Sequence, residues 1–177
     1  KIASVAKSFG AEVPFLRDKS LADDFTGTFA VVKDAYLKLK DSFSSLDTVC
    51  CIYATAPLLK AKHLQEAYKL MQNTHAKSVI SICEFPFPIQ RAFVKDDNGN
   101  LSYREPKFAP MRSQDLKKCY QDCGLFYFYD KSCFEYAKDY QSIGYAMPRH
   151  RVIDIDTPED WDYACAMAKA VEELKLD

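Results

Sequence analysis

Apolar and polar residues follow a strand–helix rhythm along the chain. Residues 47–54 and 77–84 are nearly continuous apolar runs, typical of strands that are buried on both faces of a sheet. Helical spacing of apolar residues marks 28–40 and 61–72, and Gly10 ends a further predicted helix at 1–9. Other patterns predict a short strand at 11–15, an aromatic strand at 124–129, a strand within 145–156 and a C-terminal helix. The alternation predicts an α/β domain with a mainly parallel sheet.

The segment after the second apolar run has a different character. Residues 85–88 (FPFP) contain two prolines and exclude a helix. Residues 92–103 predict a hairpin that turns at Asn98 and Gly99, because this pair tolerates the positive φ angles of a tight hairpin turn. We therefore expect antiparallel strands or an arm inserted into the α/β domain.

Composition narrows the class of protein. A chain of 177 residues with 48% hydrophobic residues can form one domain with a real core. Its formal net charge of -1 gives no overall field that would attract nucleic acid or an anionic membrane, and no apolar run is long enough to cross a bilayer. Seven cysteines, an odd number, several of them within apolar runs, indicate reduced thiols and a cytoplasmic protein. Cys119 and Cys123 lack the second pair that a zinc site needs.

Residues 149–161 (RHRVIDIDTPEDW) carry the clearest chemical signal. In a strand, Asp154 and Asp156 point to the same face, about 6.6 Å apart along the backbone, while Ile153 and Ile155 face the core. Two carboxylates on one face repel each other unless a cation joins them. Magnesium suits such a pair, because it takes one or two carboxylates and fills its octahedron with water and phosphates. A solvated strand end without metal is the alternative.

The residues on either side support a ligand site. Thr157 and Pro158 suit the start of a helix, so the aspartates fall at the carboxyl end of a strand, where open α/β sheets bind ligands. Arg149 and Arg151 alternate on one face and could bind a phosphate or a sugar carboxylate, or instead pair with the aspartates.

Five stretches, in order, resemble motifs of the CMP-sialic acid synthetase family. Besides the closing segment at 151–161, they are 15–28 (FLRDKSLADDFTGT), 53–59 (YATAPLL), 78–84 (SVISICE) and 122–127 (DCGLFY). Together they extend over nearly the whole chain. The branch that activates pseudaminic acid is the most similar, through 54–57, 87–92, 112–116 and 147–151.

The resemblance implies a three-layer Rossmann-like nucleotidyltransferase fold, with a mainly parallel mixed sheet and a hairpin or arm insertion. It implies a cytidylyltransferase that couples CTP to a 2-keto nonulosonic acid, giving a CMP-sugar and pyrophosphate, in the cytoplasm of a bacterium. Pseudaminic acid is the expected sugar. Legionaminic acid, N-acetylneuraminic acid or a non-catalytic domain of the same fold are the alternatives.

The resemblance also implies the roles of particular residues. Asp154 and Asp156 would be catalytic and hold Mg²⁺. The nucleotide would contact Arg17, Asp24, Thr28, Ala54 and Thr55. The sugar would contact Tyr53, Gln90, Arg91, Arg112, Gln114, Tyr127, Arg149 and Arg151. Two positions depart from the family, because Tyr53 replaces a sugar-contacting glutamine and Cys123 replaces the asparagine of its DNG motif.

The family's glycine-containing loop that binds the triphosphate is absent from residues 1–177, as are the first strands of the sheet. We therefore expect one nucleotidyltransferase domain that lacks its N-terminal part and is not competent by itself. The resemblance further implies a homodimer formed through an arm at 85–112, with no nucleic acid or membrane partner.

Overall fold

Helices and strands alternate through most of the protein. The computed structural model describes residues 1–43, 45–136 and 140–176. Within them the helices are α1 (Ile2–Ser8), α2 (Thr28–Leu39), α3 (Ala61–Thr74), α4 (Ser132–Glu135) and α5 (Pro158–Glu173), and the strands are β1 (Thr48–Ile52), β2 (Ser78–Glu84), β3 (Phe93–Lys95), β4 (Leu101–Tyr103), β5 (Tyr120–Asp130) and β6 (Ser142–Ala146). None of these helices has both the length and the apolar character to cross a membrane.

A four-stranded sheet with the order β1-β5-β2-β6 forms the centre of the domain. Strands β1, β2 and β6 point in the same direction, whereas β5 runs antiparallel to both of its neighbours. Three of the four strands therefore share a direction, which confirms the mainly parallel mixed sheet. Because β1, β2 and β6 end at the same edge, the connections that follow them gather there, as in ligand-binding α/β domains.

Helices cover both faces of the sheet and give it three layers. On one face, Val32 and Tyr36 of α2 pack against Tyr129 of β5. On the other face, Ala67 of α3 packs against Phe126 of β5, and both side chains are fully buried. Successive residues of a strand point to opposite faces, so the alternating aromatic residues of β5 supply both cores.

The position of β1 at the sheet edge corrects one prediction. A strand buried on both faces is expected at 47–54, but no side chain of β1 is fully buried. Ile52 is 51% exposed, because β1 pairs only with β5 among the described residues. The prediction of a strand is confirmed, and the prediction of its burial is wrong.

Residues 11–15 do not form the predicted strand. The chain leaves α1 through Gly10, whose φ of 89° ends the helix as expected, and continues without regular structure. No strand of the described residues pairs with this segment, so its apolar alternation has no hydrogen-bond ladder to join. Helix α1 buries none of its side chains, and Phe9, the residue that follows it, is 89% exposed.

The predicted hairpin is present as β3 and β4. Phe93 pairs with Tyr103, and their ring centroids are 4.4 Å apart. The turn closes around Asp96, whose carboxylate accepts hydrogen bonds from two backbone amides, and Gly99 adopts a φ of 88°. The hairpin forms a sheet separate from the central one, as expected for an insertion.

Candidate active site

The two aspartates lie in an extended connection between β6 and α5. Strand β6 ends at Ala146, and a 3-10 turn follows at Arg149–Arg151. Residues 152–156 pair with no strand of the described residues, so the strand predicted within 145–156 exists only at its first two positions. Pro148 has no amide hydrogen to donate to a ladder, which favours ending the strand there.

The alternation of side chains persists although the strand does not. Ile153 is buried against Leu58 and α5, and Ile155 packs beside it. Asp154 and Asp156 are both exposed. The predicted arrangement, with isoleucines towards the core and aspartates towards solvent, therefore holds because α5 supplies the apolar surface.

The start of α5 fixes the backbone of the aspartate segment. Thr157 is the N-cap, and its hydroxyl accepts a hydrogen bond from the amide of Asp160 at 3.2 Å. The Asp160 carboxylate accepts from the amides of Asp156 and Thr157 at 3.1 and 2.8 Å. The Thr157 hydroxyl also donates to this carboxylate, at 2.7 Å, and this bond lowers the pKa of Asp160 most; the two amide hydrogen bonds lower it further. Asp160 therefore orders the segment by a reciprocal capping contact.

Asp154 lies in an environment that disfavours its charge. Burial raises the pKa of its carboxyl, and the negative charges of Asp156, Asp160 and Asp122 raise it further. A Cβ added to Gly124 would be 4.0 Å from its Oδ2, so this carboxylate lies close to the β5 backbone. No group of three or more acidic, histidine or cysteine side chains in the described residues could hold a metal unaided. The arrangement can supply two exposed carboxylates to a cation that brings other ligands.

A bulge in β5 shapes the sheet beside Asp154. Ile80 of β2 is opposite Tyr127, but Ile82 is opposite Asp122, so four residues of β5 face Ser81 alone. The Ser81 hydroxyl accepts hydrogen bonds from two backbone amides of this excess segment, at 3.3 and 3.0 Å. Bulges re-aim side chains next to functional sites, and this one brings Asp122 within reach of Tyr127.

A line of side chains, joined by hydrogen bonds and one ring contact, extends from α2 to this bulge. Thr28, the first residue of α2, bonds to the hydroxyl of Tyr53, whose ring centroid lies 5.5 Å from that of Tyr127. The Tyr127 hydroxyl donates to both carboxylate oxygens of Asp122, at 3.0 and 2.9 Å. Burial raises the pKa of Tyr127, and Asp122 raises it further, so the hydroxyl remains protonated. Three residues predicted to contact nucleotide or sugar are therefore contiguous.

The remaining predicted nucleotide residues divide into two groups. Ala54 and Thr55 form the turn that follows β1, next to Tyr53. The charge of Arg17 acts on Cys51 of β1, where it opposes the rise in pKa that burial causes. Asp24 is exposed in the connection before α2, and no hydrogen bond or ion pair of the described residues ties it to the others.

Gln90, predicted to contact the sugar, is buried instead. Its side-chain amide donates to the carbonyl of Lys117 at 2.7 Å and to the sulfur of Cys119 at 3.2 Å. Its carboxamide oxygen is buried and has no hydrogen-bond partner within the described part of the chain. Gln90 therefore holds the connection before β5 in place, and the prediction that it binds substrate directly does not fit its burial.

The other predicted sugar residues of this region lie near the arm. Arg91 donates to the hydroxyl of Ser113 at 3.2 Å, and Arg112 makes two hydrogen bonds to Asp115, at 2.8 and 3.1 Å. Gln114 is exposed and lines a cavity of about 310 Å³. No contact of the described residues joins this group to the Tyr53–Tyr127 pair.

Arg149 and Arg151 do not share a face as predicted, because they lie in a 3-10 turn and not a strand. Arg151 is 2% exposed, and its guanidinium donates to the carbonyls of Leu58 and Leu176 at 3.0 and 2.6 Å. It therefore holds the end of α5 against the loop after β1 and has no surface for substrate. Arg149 is exposed and lines a cavity of about 490 Å³ with His150.

Two residues of the site belong to the motif at 122–127 but are given no role by the sequence prediction. Asp122 accepts the Tyr127 hydroxyl and the Gly124 amide, the latter at 2.9 Å. Gly124 adopts a φ of 61° and lies beside Asp154. An aspartate two residues before a glycine is a known turn signal and could have indicated this turn. Cys123, between them, is buried in the core, so the replaced asparagine position does not face the site.

Solved structures define the class of the fold. A 4-diphosphocytidyl-2C-methyl-D-erythritol synthase from Anaerococcus prevotii matches 95% of this chain and 75% of its own, with 12% identity and a TM-score of 0.59. A CMP:2-keto-3-deoxy-manno-octonic acid synthetase complexed with CTP matches 97% of this chain and 77% of its own, with 11% identity and a TM-score of 0.58. The fold is that of the nucleotidyltransferases.

Sequence relatives identify the family within this fold more specifically. Two pseudaminic acid cytidylyltransferases of Campylobacter jejuni subsp. jejuni, serotypes O:2 and O:23/36, are 40% and 39% identical over 98% of this chain and 76% of their own length. A CMP-N,N'-diacetyllegionaminic acid synthase of Legionella pneumophila is 29% identical over 100% of this chain and 76% of its own. No family model matches the chain. On these identities the chain belongs to the pseudaminic acid cytidylyltransferase family.

Proposed function

We propose that the protein couples CTP to pseudaminic acid and forms CMP-pseudaminic acid and pyrophosphate. The observation that carries the proposal is the 40% and 39% identity to the two Campylobacter enzymes, which extends over 98% of the chain. The Legionella relative makes a legionaminic acid derivative the second candidate sugar, at lower identity.

In the reaction, the anomeric hydroxyl of the sugar attacks the α-phosphorus of CTP. A bond forms between the sugar oxygen and phosphorus, the bond to the pyrophosphate oxygen breaks, and the hydroxyl proton is released. Such a transfer depends on positioning and on neutralising charge more than on covalent help from the protein. The line of side chains from Thr28 to Asp122 offers fixed groups for positioning both substrates.

We propose that Asp154 and Asp156 hold a magnesium ion. Two observations support the fit. Both carboxylates are exposed. The pKa of Asp154 is raised by partial burial and further by the negative charges of Asp156, Asp160 and Asp122, a repulsion that a bound cation would relieve. Carboxylate oxygens are the ligands that Mg²⁺ prefers, with water and substrate phosphates for the rest. When bound, the ion would neutralise the triphosphate and the leaving pyrophosphate.

We assign the cytidine end of CTP to the surface near Arg17, Thr28 and the turn of Ala54 and Thr55, and the sugar to the surface near Tyr53 and Tyr127. Asp24 stays a proposed nucleotide contact on its motif alone. Among the arginines, the exposed Arg149 and Arg112 and the half-buried Arg91 are the candidates for the sugar carboxylate. Gln90 and Arg151 are not candidates, because their donors bond within the protein.

The proposal is tested with the purified full-length protein, CTP, Mg²⁺ and one sugar at a time: pseudaminic, legionaminic or N-acetylneuraminic acid. We expect pyrophosphate release and a CMP-sugar of the correct mass with pseudaminic acid, at a kcat/KM at least about 10-fold above the others. A higher value for legionaminic acid would replace the proposed sugar. No pyrophosphate with any of the three would favour a non-catalytic domain.

We further propose a homodimer formed through residues 85–112, in a bacterial cytoplasm. Support for the arm comes from its exposed apolar side chains, such as Phe87 and Leu101, and from an adjoining apolar cavity of about 450 Å³ that Phe93 lines. The seven free thiols suit a reducing compartment.

Light scattering of the full-length protein should give twice the monomer mass. If the arm is the interface, Leu101→Glu should give the mass of one monomer.

A further inference from the structure

Asp122 receives three hydrogen bonds although its side chain is exposed. Its Oδ1 accepts from the Gly124 amide at 2.9 Å and from the Tyr127 hydroxyl at 3.0 Å, and its Oδ2 accepts from the same hydroxyl at 2.9 Å. Hydrogen bonds to an ionised acceptor are stronger than neutral ones. The carboxylate therefore fixes both the turn at Gly124 and the phenol of Tyr127.

Tyr127 is constrained on its other sides as well. Its ring stacks on that of Tyr129, with centroids 6.4 Å apart and planes at 12°, and it contacts the ring of Tyr53 at 5.5 Å. A tyrosine hydroxyl has one hydrogen to donate and lone pairs that accept. Because Asp122 takes that hydrogen, the Tyr127 oxygen is left as an acceptor.

Resting on the proposed function, we propose that Asp122 is a positioning residue for the sugar: it holds the Tyr127 hydroxyl so that Tyr127 presents only a hydrogen-bond acceptor to a hydroxyl or amide N–H of the nonulosonic acid. Asp122 acts through Tyr127. Without Asp122, the Tyr127 hydroxyl is free to rotate its hydrogen towards the sugar. That hydrogen would then point at a hydroxyl or N–H of the sugar that is itself a donor, and no hydrogen bond would form. An arrangement in which a fixed acceptor meets a substrate donor is the kind that discriminates strongly between related substrates.

A kinetic double-mutant cycle tests this inference in the full-length protein, with Asp122→Ala, Tyr127→Phe and the double variant. Each single variant should raise the KM for the sugar about 10-fold, as the loss of one hydrogen bond between Tyr127 and the sugar does, and leave the KM for CTP unchanged. Because both changes remove the same contact, the double variant should also be raised about 10-fold. Asp122→Asn keeps an acceptor oxygen and should stay within about 3-fold of the wild type.

Tyr129→Phe is the matched control, since Tyr129 lies two residues along the same strand and has no bond to Asp122, and it should leave both KM values unchanged.

Melting temperatures of all variants separate this effect from unfolding, and Asp122→Ser replaces Asp122→Ala in the cycle if the alanine variant does not fold. A KM for the sugar raised about 100-fold in the double variant would show two independent effects and overturn the inference. So would an unchanged sugar KM in Asp122→Ala, or a change in the KM for CTP alone. Wild-type protein that forms no CMP-sugar would instead contradict the proposed function on which the inference rests.

Discussion

Asp154→Asn is expected to lower kcat for CMP-sugar formation at least about 100-fold, the largest catalytic effect that we predict for one substitution. The amide has nearly the shape of the carboxylate but no charge, so it cannot supply an anionic oxygen to the cation. Asp154 is exposed, and among the described residues no other side chain donates a hydrogen bond to its carboxylate, so the fold should tolerate the change. Pyrophosphate release at saturating CTP and sugar measures the loss.

Asp162→Asn is the control for this prediction, because Asp162 is exposed on α5 only a few residues from the capping box. It should keep the wild-type kcat and the wild-type melting temperature. Asp156→Asn should reduce kcat as well, since we propose that both carboxylates hold the ion. Activity of Asp154→Asn close to that of the wild type would remove this residue from the chemistry.

Arg151→Met is expected to lower the free energy of unfolding by about 2–4 kcal/mol, without a change in the KM for the sugar. Methionine matches the length and apolar stem of arginine but leaves the carbonyls of Leu58 and Leu176 without their donor. Arg151 joins two segments that are far apart in the chain, the loop after β1 and the end of α5. Loss of its hydrogen bonds therefore loosens one segment from the other. Urea unfolding measures the change.

Arg149→Met is the matched control, two positions away in the same turn but exposed. It should leave the free energy of unfolding within about 0.5 kcal/mol of the wild type. If Arg149 meets the sugar carboxylate, the same variant raises the KM for the sugar. The two arginines would then divide stability and substrate binding between them. A raised sugar KM in folded Arg151→Met would contradict that division.

Much of the fold follows from local patterns. The apolar spacing locates α2, α3 and β2, and the pair Asn98–Gly99 marks the hairpin turn, because these signals depend on residues close in sequence. The mainly parallel sheet follows from the strand–helix alternation. Thr157 and Pro158 likewise mark the start of α5, as expected.

Contacts between distant residues account for the failures. Arg151 belongs to the closing motif, yet its burial depends on carbonyls 93 and 25 positions away. The side-chain amide of Gln90 bonds to the carbonyl of Lys117, in the connection before β5 and 27 positions away. The strand at 11–15 fails because a strand requires a neighbour, and sequence pattern does not supply one. The contact of Asp122 with Tyr127 is not predicted from the motif at 122–127, because a bulge held by Ser81 brings the two together.

The proposed chemistry requires Asp154 and Asp156 to be the carboxylates that bind the metal. The most direct measurement is a crystal structure of the full-length protein with CTP and Mn²⁺ in place of Mg²⁺, with the ion located by its anomalous scattering. We predict an anomalous peak bonded to a carboxylate oxygen of Asp154 or Asp156 and to phosphate oxygens of the nucleotide. A peak bonded to the phosphates but to neither aspartate would contradict the account.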